Sequence, residues 1–265
     1  MPTAKKRART YDPAKIRAAV LAQYGNVRRA AGTLSAEQLA LPTRLGDWTV
    51  RELVAHLGMA LSAIGRALDL PEPARQDATP LDWPFRTSAN STAIDAFTQQ
   101  LAGEHQDLGA YLDGVEQDLV RQLDTYPGAR LLQTTAGAMP FAEYLVTRTV
   151  ELVVHTDDLN AAVPGLEVPF DRQALAACTR LLADALAVKA PGGSTEVRIP
   201  PHAVVQCVEG PRHTRGTPPN VVETDPLTWI RLATGRLAWK DALEEARVSA
   251  SGERADLSGL LPLMA

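Results

Sequence analysis

The fold is decided by two stretches of the sequence, Asp47–Leu57 with the letters DWTVRELVAHL and Glu151–Leu159 with the letters ELVVHTDDL. Both repeat apolar residues at spacings of three and four, which indicates a helix with one buried face. In the first stretch Thr49 and Glu52 have the spacing of a capping box, so a helix is expected to begin there and to continue to Leu68. The two predicted helices are far apart in the chain, yet they carry nearly the same pentapeptide, ELVAH ending at His56 and ELVVH ending at His155.

Helical spacing extends on both sides of these stretches and predicts a helical bundle over residues 12–165. A long polar connection, residues 71–91, interrupts the helices; such crossovers in bundles often cover a site. The predicted helices are residues 13–32, a short turn of helix at 35–38, a second helix from Thr49, a third over 93–123, and a fourth that begins at Pro140 and ends near Ala162.

The sequence changes character after Pro169, where short β-branched runs alternate with helical ones. We predict an α+β module over residues 166–265 and a disordered basic tail at residues 1–11. The fold class is therefore α+β, a helical bundle followed by a smaller α+β domain. The module's helices are expected at 172–188, 226–234, 239–246 and 257–263, and its strands at 196–199, 203–208, 221–224 and 248–250.

Composition and charge exclude several classes of protein. The chain has 265 residues and a formal net charge of −4, so it lacks the basic excess that attracts a nucleic-acid backbone. No stretch is apolar for long enough to span a membrane, and the basic N-terminal tail has no apolar run behind it, which argues against a secretory signal. We expect a cytoplasmic protein, and we interpret Cys178 and Cys207 as packing residues.

Two of the five histidines end the matching pentapeptides. Because residues four apart lie on one face of a helix, Glu151 and His155 project together and can chelate one divalent ion. His56 on the other helix offers a third ligand, whereas Glu52 is accounted for by the capping box. Three protein ligands with an open position are typical of a catalytic metal site rather than a structural one.

Taken singly, each part of this arrangement has a simpler interpretation. A Glu and a His four residues apart on a helix often form only a weak ion pair, and a helical histidine is often a packed or surface group. The segment around Glu151 is, however, unusually polar, with Arg148, Asp157 and Asp158 nearby in sequence. Either aspartate is a candidate to fix the tautomer of His155, since metal-ligating histidines usually have such a partner.

The two stretches resemble the N-terminal domain of the mycothiol-dependent maleylpyruvate isomerase family, which is related to the DinB-like four-helix bundles. The resemblance implies a divalent metal, typically zinc, held by His56 on the second helix and by Glu151 and His155 on the fourth. It also implies mycothiol as a thiol cofactor. The C-terminal runs VRIPP, EGPRHTRGTPPN and LATGR are similar to a sterol-carrier-like domain that actinobacterial proteins carry behind such a bundle. Arg236, in the last run, stands about where the isomerase family has a functional arginine, so we assign it a catalytic role.

The chemistry implied is thiol activation. A divalent ion with an open position makes a bound thiol ionise near neutral pH, which prepares it to attack an electrophilic carbon of a small substrate. The reaction is an isomerisation if the thiol later leaves and a transfer if it stays. The loop Gly210–Asn220 either presents fixed positive charge to an anionic substrate or is simply solvated. In the first case we assign Arg215 to catalysis and Arg212 and His213 to cofactor binding.

Two alternatives belong to other classes of protein. A sterol-carrier-like carrier of small molecules or lipids, with a structural or vestigial metal, requires a deep apolar cavity within residues 170–265. A metal-dependent hydrolase would use water in place of a thiol. The enzyme hypothesis requires instead that the opening beside His56 and His155 face a cleft between the two domains.

Overall fold

The N-terminal part of the chain is a bundle of helices, as its apolar spacing predicts. A computed structural model describes residues 9–87, 89, 91–210 and 218–264 of the protein. No helix in this described part is both long and apolar enough to cross a lipid bilayer. The bundle helices are α1 (Pro13–Ala31), α2 (Ala36–Leu39), α3 (Val50–Leu68), α4 (Ser91–Glu104), α5 (Leu108–Thr125) and α6 (Phe141–Ala162).

Helix α3 begins where the sequence predicts. Thr49 is its N-cap, and the Glu52 carboxylate accepts from the Thr49 backbone N–H at 2.9 Å, as in the predicted capping box. The same carboxylate also accepts from the Thr49 hydroxyl. The apolar series that includes Leu53 and Leu57 is fully buried. Burial of this face fixes the rotation of α3, and with it the direction in which His56 points.

One predicted helix is wrong, because residues 93–123 form two helices rather than one. Helix α4 ends at Glu104 and α5 begins at Leu108, since the Asp107 carboxylate accepts from the Ala110 backbone N–H at 3.0 Å and caps a new helix. Apolar spacing continues across the break because both helices bury a face in the same core. Periodicity alone therefore hides a break that a capping residue makes.

A short antiparallel hairpin, which the apolar spacing does not predict, precedes α6. Its strands are β1 (Leu131–Thr134) and β2 (Gly137–Pro140). Gly137 has a φ of +111°, a backbone conformation that residues with a side chain rarely adopt. The long connection packs over the hairpin, where the Ala138 N–H donates to the Asp77 carboxylate at 2.7 Å.

The C-terminal part is an α+β module, as predicted. The strands of its sheet are β3 (Thr195–Ile199), β4 (Ala203–Cys207), β5 (Val221–Thr224) and β6 (Val248–Ser251). They lie in the order β4-β3-β5-β6, with β3 and β5 parallel and the other neighbours antiparallel. The predicted last helix at 257–263 is wrong, because Pro262 cannot continue a helix and only a 3₁₀ turn, Ser258–Leu260, forms. The helices of the module are α7 (Arg172–Lys189), α8 (Pro226–Ala233) and α9 (Trp239–Glu244).

The bundle and the C-terminal module share one apolar core. Helix α7 packs against α1 and α6 on one side and against β4 and α8 on the other. Trp83, Trp229 and Trp239 are buried in this core. Cys178 and Cys207 are buried too, and burial raises the pKa of the Cys207 thiol to about 11 and also raises that of Cys178. Neither cysteine is therefore a source of thiolate near neutral pH.

Candidate metal centre

His56, Glu151 and His155 converge at one point between α3 and α6. Their ligand atoms lie within 4.8 Å of one another. Glu151 Oε2 is 3.7 Å from Nε2 of His56 and 3.2 Å from Nε2 of His155. Tetrahedral zinc bonds of about 2.0–2.1 Å place neighbouring donor atoms roughly 3.3 Å apart, and two imidazoles with one carboxylate are a common zinc donor set. The residues and their spacing therefore fit a divalent cation.

The burial of α6 explains why polar side chains gather on it. Most of its length is enclosed by other helices, so that Thr147, Arg148, Asp157 and Asp158 are all buried. A helix that is buried on nearly every side has no solvent-facing stripe, and its polar groups must find partners inside the protein. Glu151 and the residues one turn away meet such partners in the space between α6 and α3.

A hydrogen bond to Asp158 fixes the orientation of the His155 ring and places a proton on its Nδ1. Its Nδ1 lies 2.8 Å from Oδ2 of Asp158, whose side chain is completely buried. An ionised carboxylate only accepts, so Nδ1 donates, and in a neutral imidazole Nε2 then presents a lone pair towards Glu151. Two acceptors 3.2 Å apart repel each other unless a proton or a metal ion lies between them. Of the two aspartates that the sequence offers as a partner for His155, Asp158 makes the contact.

Burial and charge move the pKa values of the three candidate ligands in different directions. Burial lowers the pKa of His56, whose Nδ1 lies 3.4 Å from the neutral Thr98 hydroxyl. For His155 the effect of burial is outweighed by hydrogen bonds to Asp158 and Glu151, so its pKa is raised. For Glu151 burial is outweighed by its hydrogen bonds with the two histidines, so its pKa lies well below the ordinary value and the carboxylate is ionised.

Arg148 lies buried beside the three candidate ligands. Its guanidinium is flanked by the rings of Trp83 and Tyr144, with centroids 5.4 and 4.6 Å away. Its Nη1 is 3.6 Å from Oε1 of Glu151. One oxygen of Glu151 therefore faces the two imidazoles while the other faces a positive charge, an arrangement suited to binding a metal through a single oxygen.

The three candidate ligands line an open cleft of about 630 Å³ between the bundle and the C-terminal module. The side chains of His56, His155 and Glu151 are 6, 12 and 16% exposed, so each is reachable from the cleft. Trp48 forms part of the wall, with its ring 5.0 Å from that of His56. The C-terminal module contributes Thr234, Arg236 and Met264. The opening thus faces the junction between the two parts of the chain, as the enzyme hypothesis requires.

Among the other predicted site residues, Arg236 lies at this cleft, while Arg212, His213 and Arg215 fall outside the described residues. The Nη1 group of Arg236 donates to the Thr234 carbonyl oxygen at 2.7 Å. Its Nε and Nη2 groups donate to the carboxylate of Asp158. Arg236 is therefore linked to the centre through the aspartate that holds His155.

Sequence reasoning missed Arg44 and Asp95. Arg44 donates to both Asp157 and Asp158 at 2.6 Å, although it lies 114 residues before Asp158 in the chain. Asp95 accepts a hydrogen bond from the Trp48 indole and lines the cleft from α4. The one local signal was the position of Arg44 just before the capped start of α3, and nothing local identifies its partners.

Comparison with known proteins agrees with this architecture. A family model described as the mycothiol maleylpyruvate isomerase N-terminal domain matches residues 4–160, and one described as a bacterial SCP ortholog matches residues 171–263. No curated protein sequence matches the chain.

Solved structures share the fold along most of the chain. A crystal structure of the mycothiol-dependent maleylpyruvate isomerase superposes with a TM-score of 0.61 at 13% identity, covering 93% of this chain and 95% of that one. A mutant form of a mycothiol-dependent maleylpyruvate isomerase gives a TM-score of 0.59 at 14% identity, with the same coverage. At these identities the likeness shows the fold alone. The first family model, however, spans more than half of the sequence, and the chain therefore belongs to the mycothiol maleylpyruvate isomerase N-terminal domain family.

Proposed function

We propose that this protein is a thiol-dependent isomerase in which His56, Glu151 and His155 hold a divalent metal, zinc, and mycothiol supplies the thiol. The observation that carries the proposal is the convergence of these three side chains on a cleft between the bundle and the C-terminal module. Family membership supports an enzyme of the isomerase type, since the structural relatives are mycothiol-dependent maleylpyruvate isomerases. A small electrophilic substrate that carries a carboxylate, such as maleylpyruvate, is the expected class.

The donor set supports zinc over magnesium or calcium, which prefer ligands that are all oxygen. When bound, a zinc ion with an open position lowers the pKa of a coordinated thiol, so that the thiol ionises near neutral pH. The chain supplies no accessible thiol among its described residues, because Cys178 and Cys207 are buried. A low-molecular-weight thiol that enters through the cleft is the remaining source.

Arg236 has the geometry to bind an anionic substrate at the edge of the cleft. A guanidinium has five N–H donors, and in the described part of the chain Arg236 uses three of them, on Asp158 and Thr234. The remaining two are available to a carboxylate in the cleft. We retain Arg215 as a second catalytic arginine and Arg212 and His213 as cofactor-binding residues on the basis of sequence.

A test combines metal analysis with turnover of the full-length protein. We expect about one equivalent of zinc after dialysis, and isomerisation of maleylpyruvate only when mycothiol is added. Chelation should abolish turnover and zinc should restore it. A stable mycothiol conjugate would change the assignment to a transferase, and hydrolysis of the substrate without any thiol would favour the hydrolase.

The carrier hypothesis makes a different prediction for the same protein. It requires stoichiometric binding of an apolar ligand by the C-terminal module and no turnover of maleylpyruvate under any combination of metal and thiol. Such a result would overturn the proposed enzyme function.

The proposal also includes the division of the chain into a bundle at 12–165 and a module at 166–265. It further includes a cytoplasmic location.

A further inference from the structure

Two buried aspartates near the C-terminal end of α6 hold three arginines. Arg231 binds Asp157 through two nitrogens, with Nη2 2.6 Å from Oδ1 and Nε 2.9 Å from Oδ2. Arg236 binds Asp158 in the same manner, with Nε 3.1 Å from Oδ1 and Nη2 2.9 Å from Oδ2. Arg44 bridges the two carboxylates at 2.6 Å to each. Charge-assisted paired hydrogen bonds thus join the bundle to the C-terminal module.

The two halves of this cluster differ in what lies beyond them. Asp158 Oδ2 also accepts from Nδ1 of His155, at 2.8 Å. Among the described residues, Asp157 makes side-chain hydrogen bonds only to Arg44 and Arg231. The side chains of Asp157 and Asp158 are 3 and 0% exposed, so neither carboxylate exchanges its arginine partners freely for water. One ion pair therefore reaches a metal ligand, and the adjacent one does not.

We propose that Arg236 and Arg44 are positioning residues for the metal centre. They act on His155 through Asp158, so that a residue of the C-terminal module, Arg236, helps to orient a metal ligand of the bundle. Arg231, in contrast, only holds the module against the bundle. The proposal rests on the metal centre of the proposed function. A carboxylate held by two arginines resists rotation, because any rotation breaks charged hydrogen bonds in a buried place. It thereby sets the plane of the imidazole and the direction of its Nε2 atom.

Arg44 extends this effect to the wall of the cleft. Residues 45–48 follow it directly, and all four line the cleft. Trp48, the last of them, lies against the ring of His56. Arg44 thus links the segment beside one ligand to the aspartate that holds the other. We therefore expect its loss to weaken metal binding from the bundle side, as loss of Arg236 does from the module side.

The matched variants are Arg236→Met and Arg231→Met in the full-length protein. Methionine keeps much of the apolar stem and removes the guanidinium, and each variant leaves its aspartate with Arg44 as a remaining partner. We expect Arg236→Met to weaken zinc binding, measured by competition with a chromophoric chelator, by about 10-fold or more, the usual effect of losing an outer partner of a metal ligand. Arg231→Met should retain the zinc affinity of the wild type, even if it lowers thermal stability as much as Arg236→Met does.

Cobalt provides a second readout, because its visible absorption spectrum reports ligand geometry. We expect the spectrum of the cobalt-loaded protein to change in Arg236→Met and in Arg44→Met but not in Arg231→Met. If Arg236→Met fails to fold, Arg236→Lys keeps the charge without the two-pronged contact and should show a partial loss. Equal losses of zinc affinity in the Arg231 and Arg236 variants, or wild-type affinity in Arg236→Met, would overturn the proposal while leaving the metal centre intact. A wild-type protein that binds no zinc would remove the proposed function as well.

Discussion

The pentapeptides ELVAH and ELVVH are nearly identical, yet the molecule uses them differently. In the first, Glu52 lies in the opening turn of α3 and caps it, so only His56 reaches the candidate centre. In the second, Glu151 and His155 lie in the middle of α6 and both reach it. Glu52 is used to cap its helix because it lies in the first turn, whereas Glu151, in the middle of its helix, is free to take part in the candidate centre.

The second difference between the two segments is in the partners of the histidines. His155 donates to a buried carboxylate that two arginines also hold, whereas His56 has a long contact with a neutral hydroxyl. Burial lowers the pKa of His56, whereas for His155 the hydrogen bonds to Asp158 and Glu151 outweigh burial and raise the pKa. Similar local sequences thus acquire different chemistry from residues that are distant in the chain.

The largest effect is expected from His155→Ala. Loss of the hydrogen-bond partner of a metal ligand lowers metal affinity by about 10- to 100-fold. Loss of His155, a direct ligand in our account, should lower zinc affinity by more than that. The helical circular dichroism signal should remain, because α3 and α6 pack through apolar side chains that the substitution leaves in place. Zinc content after dialysis measures the effect, and stoichiometric zinc in this variant would refute the ligand assignment.

The same substitution in both pentapeptides gives the sharpest contrast. Glu151→Gln should lose most of its zinc affinity, because a neutral amide oxygen is a much weaker ligand than a carboxylate. Glu52→Gln should retain it, since glutamine also serves at the third helical position of a capping box. Chelator competition on the two purified variants makes the comparison, and equal zinc affinities would show that position in the helix does not decide the role.

Local signals in the sequence account for much of the site. The capping box at Thr49 and Glu52 gives the start of α3, and the spacing of four residues puts Glu151 and His155 on one face of α6. The break at Asp107 was missed because a helical period continues across it. The hairpin at residues 131–140 was missed because each strand has only four residues.

Contacts across the fold could not be predicted in this way. Arg44 meets Asp157 and Asp158 only because the loop before α3 passes the C-terminal end of α6. Arg236 was identified as a site residue through resemblance alone, and its hydrogen bonds to Asp158 emerge only when the module docks on the bundle. Docking depends on the packing of α7 between the two parts, which no short pattern encodes.

A smaller effect is expected from Glu52→Ala, which removes the capping partner of Thr49. The free energy of unfolding should fall by about 1 kcal/mol, the usual scale for loss of a helix cap. Zinc affinity should not change, because Glu52 is not one of the converging ligands. Denaturant titration of the zinc-free protein gives the stability change, and a loss of zinc binding would contradict the division of roles between the two glutamates.

A small loss of zinc affinity is expected from Thr98→Val, which removes the hydroxyl beside His56. The contact is long, at 3.4 Å, and neutral hydrogen bonds contribute only about 1 kcal/mol. Zinc affinity should therefore fall by much less than in a variant that loses Asp158. A larger loss in Thr98→Val than in Asp158→Asn would reverse our ranking of the two histidine partners.

The most direct measurement is X-ray absorption at the zinc edge of the full-length protein loaded with one equivalent of zinc. Our account predicts nitrogen and oxygen ligands with the scattering pattern of two imidazoles, and loss of one imidazole in His56→Ala. A centre without imidazole, or one that keeps both imidazoles in that variant, would contradict the claim that α3 and α6 together hold the metal.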